Sequence, residues 1–488
     1  MTDNSNTTDI RSLSLWQALT PVILLITMLG ASVYYFSDNS SYGANQIALL
    51  IAAGVAAFIG MRNGHQWDDI EQGIIHGISN AMIAVLILLV VGSLIGTWML
   101  AGTVQSLIYF GLQLISASWF YAAACLVCGI AAMSIGSSWT VAGTLGIAFM
   151  GMAMAMQLDL AIAAGAIISG AYFGDKLSPL SDTTNLASAV TGTPLFDHIQ
   201  NLLWTTVPGF LIALCIFSIM GGEQTLASAE SIRSTMTGLQ ANFNLGAHLL
   251  IPVVVVFVLA WRRVPALITL AAGALIGGLF AVLFQQEAIG RFISSEGIAS
   301  AERSLLAVWT ALFDGYVSET GNDALDSLLS RGGMSSMLNT VWLILCAMAF
   351  GSVMEKVGLL ERILMAILSS VRSTTGLIVT TVFTCIGANV MTADQYIAIV
   401  LPGRMYKLEY ARRGLASKNL SRTLEDAATL TSPLIPWNTC GAYMAGTLGV
   451  ATLSYLPYAF FNLLGPVLCV AFAVAHFRIV PLESEQNA

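Results

Sequence analysis

Charge is what this sequence has least of. Of its 488 residues, 9% are Asp, Glu, Lys or Arg and 56% are hydrophobic. An ordinary soluble domain is about a quarter charged, so a soluble core is excluded and a polytopic membrane protein is expected. Histidine is scarce too, with five in the chain. No His-Glu-x-x-His, Gly-x-Ser-x-Gly or clustered histidine set occurs, which leaves an intramembrane enzyme without machinery. Neither an enzymatic activity nor a resident cofactor is expected. The seven cysteines (Cys125, Cys128, Cys215, Cys346, Cys385, Cys440, Cys469) all fall in apolar segments and read as buried free thiols. Cys125-Leu-Val-Cys128 has redox-motif spacing, but no second pair or histidine accompanies it. The polar segment Met1 to Arg11 does not read as a cleaved signal peptide. The net charge of −8 says little about partners, since most acids lie in loops, and no nucleic acid is expected among them.

What the chain has is long apolar runs. A spanning helix needs about 20 such residues, and the runs predict an all-α fold of about 12–14 transmembrane helices. The runs near 104–117 and 359–371 are short enough to be re-entrant or peripheral. The basic segment Arg404 to Arg422, with Lys407, Arg412, Arg413 and Lys418, is expected on the cytoplasmic side. Stepping span by span then puts Arg262-Arg263, Arg62 and both termini there too, and the acidic loop 287–335 outside. That loop carries Glu287, Glu296, Glu302, Asp314, Glu319, Asp323 and Asp326. Its stretch Leu305 to Val317 reads as an interfacial helix.

The chain also repeats itself. Ser178-Pro-Leu-Ser-Asp-Thr-Thr-Asn185 is echoed by Ser432-Pro-Leu-Ile-Pro-Trp-Asn-Thr439, Ile135-Gly-Ser-Ser-Trp-Thr140 by Ile386-Gly-Ala-Asn-Val-Met-Thr392, and Gly92-Ser93 by Gly351-Ser352. The landmarks keep their order, and the spans between matched pairs are odd in number. Two repeats of opposite membrane orientation follow, residues 1–221 and 247–478. Inverted repeats with paired broken helices are a signature of secondary transporters.

The breaks carry the chemistry. Gly174 and Pro179 bracket Asp175 to Ser178, so a continuous helix is not expected there. A charge at the bilayer centre costs roughly 2.5–3.5 kcal/mol on insertion scales, so Asp175 and Asp182 are candidate ligands of a hard cation. Ser178, Thr183 and Asn185 would supply neutral oxygens, the donor type such ions take. Lys176 is placed to pair with either aspartate, and a structural Asp–Lys pair that only holds the kink is the bland alternative. The second break holds Ser432, Pro433, Pro436, Trp437 and Asn438 without charge. Ser432 and Asn438 are candidate ligands, and Trp437 is a candidate wall residue. Two further interruptions join the same site. One is Ser137-Ser138-Trp139-Thr140, expected to line the pathway. The other contains Asn389, Thr392 and Asp394. Asp394 has no cationic neighbour in sequence, and an unpaired intramembrane carboxylate is either protonated or holds a cation. Asp182 and Asp394 are the expected Na⁺ carboxylates. Glu425-Asp426 reads as the acidic first turn of a helix. His198 and Glu355-Lys356 read as solvated boundary residues.

Gly170-Ala-Tyr-Phe-Gly-Asp-Lys-Leu-Ser-Pro-Leu-Ser-Asp-Thr-Thr-Asn-Leu-Ala187 resembles the hallmark of the NhaC-type Na⁺/H⁺ antiporter family. Thr392-Ala-Asp-Gln-Tyr-Ile397, Thr431-Ser-Pro-Leu-Ile-Pro-Trp-Asn-Thr-Cys-Gly441 and Ser330-Arg-Gly-Gly-Met-Ser-Ser336 resemble its other motifs. The resemblance implies an antiporter of the bacterial inner membrane exchanging Na⁺ for H⁺, which would be cargo and not cofactors. The alternative on the same fold is a cation-coupled exchanger of small organic solutes, malate/lactate-like or amino acid, for which Lys176, Trp139 and Trp437 speak. Other expected partners are the lipid bilayer and, as a candidate homodimer, a second copy of the chain.

Overall fold

A bilayer core offers no water to a bare peptide group, so apolar runs of this length cross it as helices. The computed structural model has only helices and two isolated bridges, Tyr316 with Arg331 and Leu415 with Pro481, among its described residues. The structure describes residues 12–36, 40, 42–222, 229–294, 299–369 and 371–482. Glu296 and the segment Met1 to Arg11 lie outside them.

Ten described helices are long and apolar enough to cross a membrane, and up to 12 spans result if each of two bent pairs is one. That is the lower end of the expected range, because the short runs do not span. Thr103–Leu114 has 12 residues and Leu359–Ser369 has 11. The acidic loop contains an amphipathic helix, Ser300–Phe313. It buries Ser304, Ala307 and Ala311 and exposes Leu305, Leu306 and Trp309. The basic segment is mostly helix, within Gln395–Arg412 and Ser417–Leu424. Arg422 is buried there and donates to Asn201 Oδ1 and the Arg478 carbonyl. Of the seven free cysteines, Cys215 is exposed and the others are buried.

The internal repeat appears in the backbone with one constant offset. Helices starting at Ser138, Leu160 and Asp182 have counterparts starting at Gln395, Ser417 and Thr439, each 257 residues later (138 and 395, 160 and 417, 182 and 439). Gly136 and Ala393 end the preceding helices in the same left-handed conformation, with φ of 74° and 57°. Ser137 and Asp394 follow in extended backbone, and each side chain accepts the N–H three residues on. Ser181 and Asn438 cap Asp182–Thr191 and Thr439–Leu448, which end at left-handed Gly192 and Gly449. The sequence likenesses set Ser178-Pro179 beside Ser432-Pro433, an offset of 254 (178 and 432). The caps set Asp175 beside Ser432 and Ser181 beside Asn438. Backbone role, a left-handed stop followed by an extended cap, fixes the correspondence; the Ser-Pro pair does not.

The Trp67–Leu100 helix has 34 residues and so runs about 50 Å. It packs on both Ala266–Phe284 and Leu338–Lys356. The Leu160–Leu177 helix lies tightly on Phe120–Ile135. A Cβ on Gly170 would come within 2.0 Å of the Cys125 carbonyl oxygen, and one on Gly174 within 2.1 Å of that of Gly129. Small residues four apart allow such an approach in a membrane, where packing substitutes for hydrophobic drive.

Gly136 is the more constrained of the paired stops. A Cβ there would come within 2.7 Å of the Leu180 carbonyl carbon, on the opposite break. Gly136→Ala adds that clash to the left-handed penalty of about 1–2 kcal/mol, and should lower the thermal unfolding midpoint in detergent. Ala393→Gly, at the equivalent stop, should leave the midpoint unchanged or raise it. Equal losses in the two variants would refute the structural pairing.

Candidate functional site

The breaks meet at a cavity of about 230 Å³. Its wall takes Ser137, Ser138 and Trp139 from the interruption near 137–140, Asp175, Ser181, Asp182 and Thr183 from the Asp175–Asn185 break, and Asp394, Gln395, Tyr396, Thr439 and Cys440 from their counterparts in the second half. Asn80, Ile83 and Ile87 of the Trp67–Leu100 helix close one side. A second cavity of about 340 Å³ shares Gly136, Ser137, Asp182 and Ala266 with the first and also contacts Thr140, Asn185 and Arg263. It forms a vestibule, and Asp182 stands between the two spaces. Asp182 is exposed, whereas Asp175 and Asp394 are each 7% exposed.

Each of the three carboxylates sits at the start of a half-helix. Asp175 Oδ2 accepts from the Ser138 backbone N–H at 3.1 Å and from Ser138 Oγ at 2.7 Å. Asp394 Oδ1 accepts from the Ile397 N–H at 2.9 Å. Asp182 is the first residue of its helix. The positive end of a helix dipole stabilises negative charge, by roughly 0.3–1 kcal/mol at an exposed terminus and more when partly buried. Asp175 and Asp394 are thereby fixed in direction. These hydrogen bonds fall on one oxygen of each carboxylate, Asp175 Oδ2 and Asp394 Oδ1. Tyr396 lies within electrostatic reach of all three aspartates. Trp139 stacks on Tyr443 with ring centroids 4.0 Å apart, and Tyr443 donates to the Trp139 carbonyl at 2.8 Å. Among the described residues no group of three His, Cys, Asp or Glu side chains is gathered closely enough to hold a metal ion. The three carboxylates are spread around the wall.

Other candidate residues are spent on the breaks themselves. Asn185 donates to the Pro179 and Ser181 carbonyls at 3.0 and 2.7 Å, bracing the first hairpin from the vestibule side. Ser178 is fully buried behind the wall, its Oγ accepting from the Leu180 N–H. Asn389 donates to the Ala428 carbonyl and to Thr431 Oγ1, and accepts from Asn438 Nδ2. Thr392 bonds back to the Ala388 carbonyl. Ser432 donates to Gln395 Oε1 and to the Thr429 carbonyl, and Asn438 caps Cys440. Thr140 bonds Ser137 Oγ and lines the vestibule, not the inner cavity.

Four expectations are corrected. Lys176 pairs with neither Asp175 nor Asp182. It forms an ion pair with Asp426, both side chains fully buried, and lines neither space. Glu425-Asp426 does not open a helix; the pair continues Ser417–Leu424 as a π-helical turn over Glu425–Thr429, with both residues 0% exposed. His198 is likewise buried, its Nδ1 2.8 Å from Ser421 Oγ. Trp437 donates to the Val390 carbonyl and faces a separate apolar cavity with Ile26 and Leu29. Sequence reasoning missed Asn80, Tyr396, Thr439 and Cys440. The first is a polar residue at the mouth of an apolar run, a signal that was present. Cys440 and Tyr396 carry no signal that separates them from core.

The Lys176–Asp426 pair makes its own prediction. Lys176→Met or Asp426→Asn alone strands a buried charge or dipole, a loss of about 3–5 kcal/mol. Each should reduce the monodisperse fraction of solubilised protein on size exclusion. The double variant Lys176→Met with Asp426→Leu should recover most of it. No recovery would mean the pair is required for more than charge balance.

The Na⁺/H⁺ antiporter family model matches residues 170–477. The "Na(+)/H(+) antiporter NhaC" of Alkalihalophilus pseudofirmus is 40% identical, over 90% of this chain and 92% of that protein. The protein of that name in Bacillus subtilis is 37% identical, over 83% and 87% of the two chains. A "Malate-2H(+)/Na(+)-lactate antiporter" of Bacillus subtilis is 35% identical, over 88% of each chain. With a family model matching more than half of the chain and relatives matched over most of their length, the chain belongs to the Na⁺/H⁺ antiporter family.

Proposed function

We propose that the protein exchanges Na⁺ for H⁺ across the bacterial inner (plasma) membrane, as a multi-pass secondary transporter with both termini cytoplasmic. It has no enzymatic activity and no resident cofactor; Na⁺ and H⁺ are its cargo. The observation that carries this reading is the convergence of Asp175, Asp182 and Asp394, from both halves of the chain, on one cavity edged with Ser137, Ser138, Ser181, Thr183 and Thr439 hydroxyls. The wall's donors are oxygens, its one thiol (Cys440) is turned to Gln395 Oε1 and it has no imidazole, a set that suits a hard cation. Two of the relatives are named Na⁺/H⁺ antiporters.

The second reading, exchange of a small organic acid, is supported by the relative named a malate/lactate antiporter and by the stacked Trp139 in the wall. An organic anion needs a cation to replace its hydration. The cavity wall includes no Lys, Arg or His, and Lys176 is consumed by Asp426. The inorganic cation is therefore the better fit.

The cargo is tested in liposomes loaded with a pH dye, adding Na⁺, Li⁺, K⁺ and organic acids in turn. Na⁺ should move protons, and Asp182→Asn should abolish that movement in folded protein. Survival of transport with unchanged Na⁺ affinity would remove Asp182 from the site. Protons and Na⁺ should compete in the wild type, so Na⁺ binding weakens as pH falls, and Asp394→Asn should flatten that dependence. An identical pH profile in the variant would make Asp394 structural. For the topology, cysteine at 413 should label from the cytoplasm and cysteine at 302 from outside. Labelling of both from one side would contradict the inverted arrangement.

A further inference from the structure

Behind the cavity lies a buried polar cluster that the cation site does not use. The π-helical turn Glu425–Thr429 packs against helices Thr374–Thr392, Gln395–Arg412 and Phe460–Val474. Within it, Asp426 Oδ1 receives both Lys176 Nζ and Thr205 Oγ1, the latter at 2.9 Å. Glu425 is 0% exposed, and neither of its carboxyl oxygens has a hydrogen-bond partner. Thr429 is a neighbouring hydroxyl that is also unpartnered, as are Asp426 Oδ2 and Thr206 Oγ1. The charged and titratable groups brought toward Glu425 are Lys176 and Asp175 from Leu160–Leu177, Asp426 beside it, and Arg422 one turn before it. His198, on Leu195–Gly222, reaches the same Lys176. Cys385, Tyr406 and Cys469 share the surrounding packed cluster, and Asp182 opens the remaining helix packed on the turn.

Among the described residues no cation pairs with Glu425. The Lys176 ammonium is held by Asp426, and the buried Arg422 guanidinium donates instead to Asn201 Oδ1 and the Arg478 carbonyl. An ionised Glu425 would be a buried charge with neither a counter-ion nor a hydrogen bond, an arrangement proteins avoid. Nor can a metal cation balance it, since Glu425 is in the wall of neither the cavity nor the vestibule. We propose that Glu425 carries a proton in this state and is the carrier of the exchanged proton, one helix away from the cation cavity. When the transport cycle admits water to Glu425 and its O–H bond breaks, that water takes the proton. The carboxylate left behind competes with Asp426 for Lys176, the residue next to Asp175 of the cavity wall. Cation occupancy at Asp175 and protonation at Glu425 are thereby tied through one backbone step. The coupling role rests on the antiport reading, but the presence of the proton does not.

Gln has the shape of a protonated Glu and cannot release a proton, so Glu425→Gln separates the two claims. Infrared spectra of wild-type and variant full-length protein in lipid should differ by a protonated-carboxyl band, shifted in D₂O and absent from the variant. In liposomes the variant should lose Na⁺-driven proton movement while radioactive Na⁺ still exchanges against unlabelled Na⁺. Glu425→Asp keeps a titratable group and should retain coupled transport with a displaced pH profile; it also serves if the Gln variant does not fold. Identical carboxyl bands in wild type and Glu425→Gln would overturn the proton's placement. Coupled transport with an unchanged pH profile in Glu425→Gln would overturn its role as carrier. If the wild type moves no protons with Na⁺, the antiport reading and the carrier role fall together, and the infrared band still decides where the proton is.

Discussion

A helix interrupted inside a bilayer must find partners for the peptide groups it frees, because lipid supplies none. This constraint organises the rest of the molecule. Ser137, Ser181, Asp394 and Asn438 each accept a freed N–H at the start of a half-helix. Capping forces the backbone at each break into an extended residue after a stop, and Gly136 and Ala393 supply the stop in left-handed form. The caps turn several half-helix starts toward one space. Positive helix ends alone would suit an anion. Asp175, Asp182 and Asp394 reverse the sign, which is the electrostatic ground for the cation reading.

The two halves are held together in two chemically different ways. In front, around the cavity, contact is through rings and a hydroxyl: Trp139 stacks on Tyr443, whose hydroxyl donates to the Trp139 carbonyl. Behind, it is a dry ion pair between residues 250 positions apart, Lys176 and Asp426, backed by Thr205. Hydroxyl bonds can be exchanged for bonds to water at small cost. A buried ion pair cannot be opened without stranding two charges. Rocking of one half against the other, the motion by which inverted-repeat transporters work, therefore costs least when it pivots near Lys176 and Asp426 and opens the cavity side.

Much of this was legible in the residues. Charges and prolines inside apolar runs marked both hairpins, and Asp175, Asp182, Asp394, Ser137, Ser138, Trp139 and Thr183 do meet at one cavity. What could not be read was whom a polar side chain serves. Asn185, Asn389 and Asn438 look like ligands in sequence, but their amides are occupied by backbone carbonyls and by each other. The partner of Lys176 is in the other half, and sequence neighbourhood pointed to Asp175 instead. Glu425-Asp426 opens an apolar run in the way a capped helix does, and only the packing of Ser417–Leu424 against its neighbours reveals that the pair is buried. The repeat was visible, but its register was not. Identity of Ser-Pro pairs competes with identity of backbone role, and only φ separates them.

The same division explains why family motifs say little about cargo. The residues that make the hairpin motifs recognisable are largely those that hold the breaks: Pro179, Asn185, Lys176, Ser432 and Asn438. A chain that needs the breaks needs these residues, whatever it carries. The cavity's chemistry is finished by side chains outside the hairpins, among them Asn80, Ile83, Ile87 and Ala266, and by Tyr396. Small changes there alter volume and polarity without touching a cap. An arginine or lysine introduced into that wall would supply the counter-charge an organic acid needs, while the carboxylates and their helix ends stayed in place. The difference between an inorganic and an organic cargo would therefore be sought in the wall around the motif, and here that wall is neutral apart from its three aspartates.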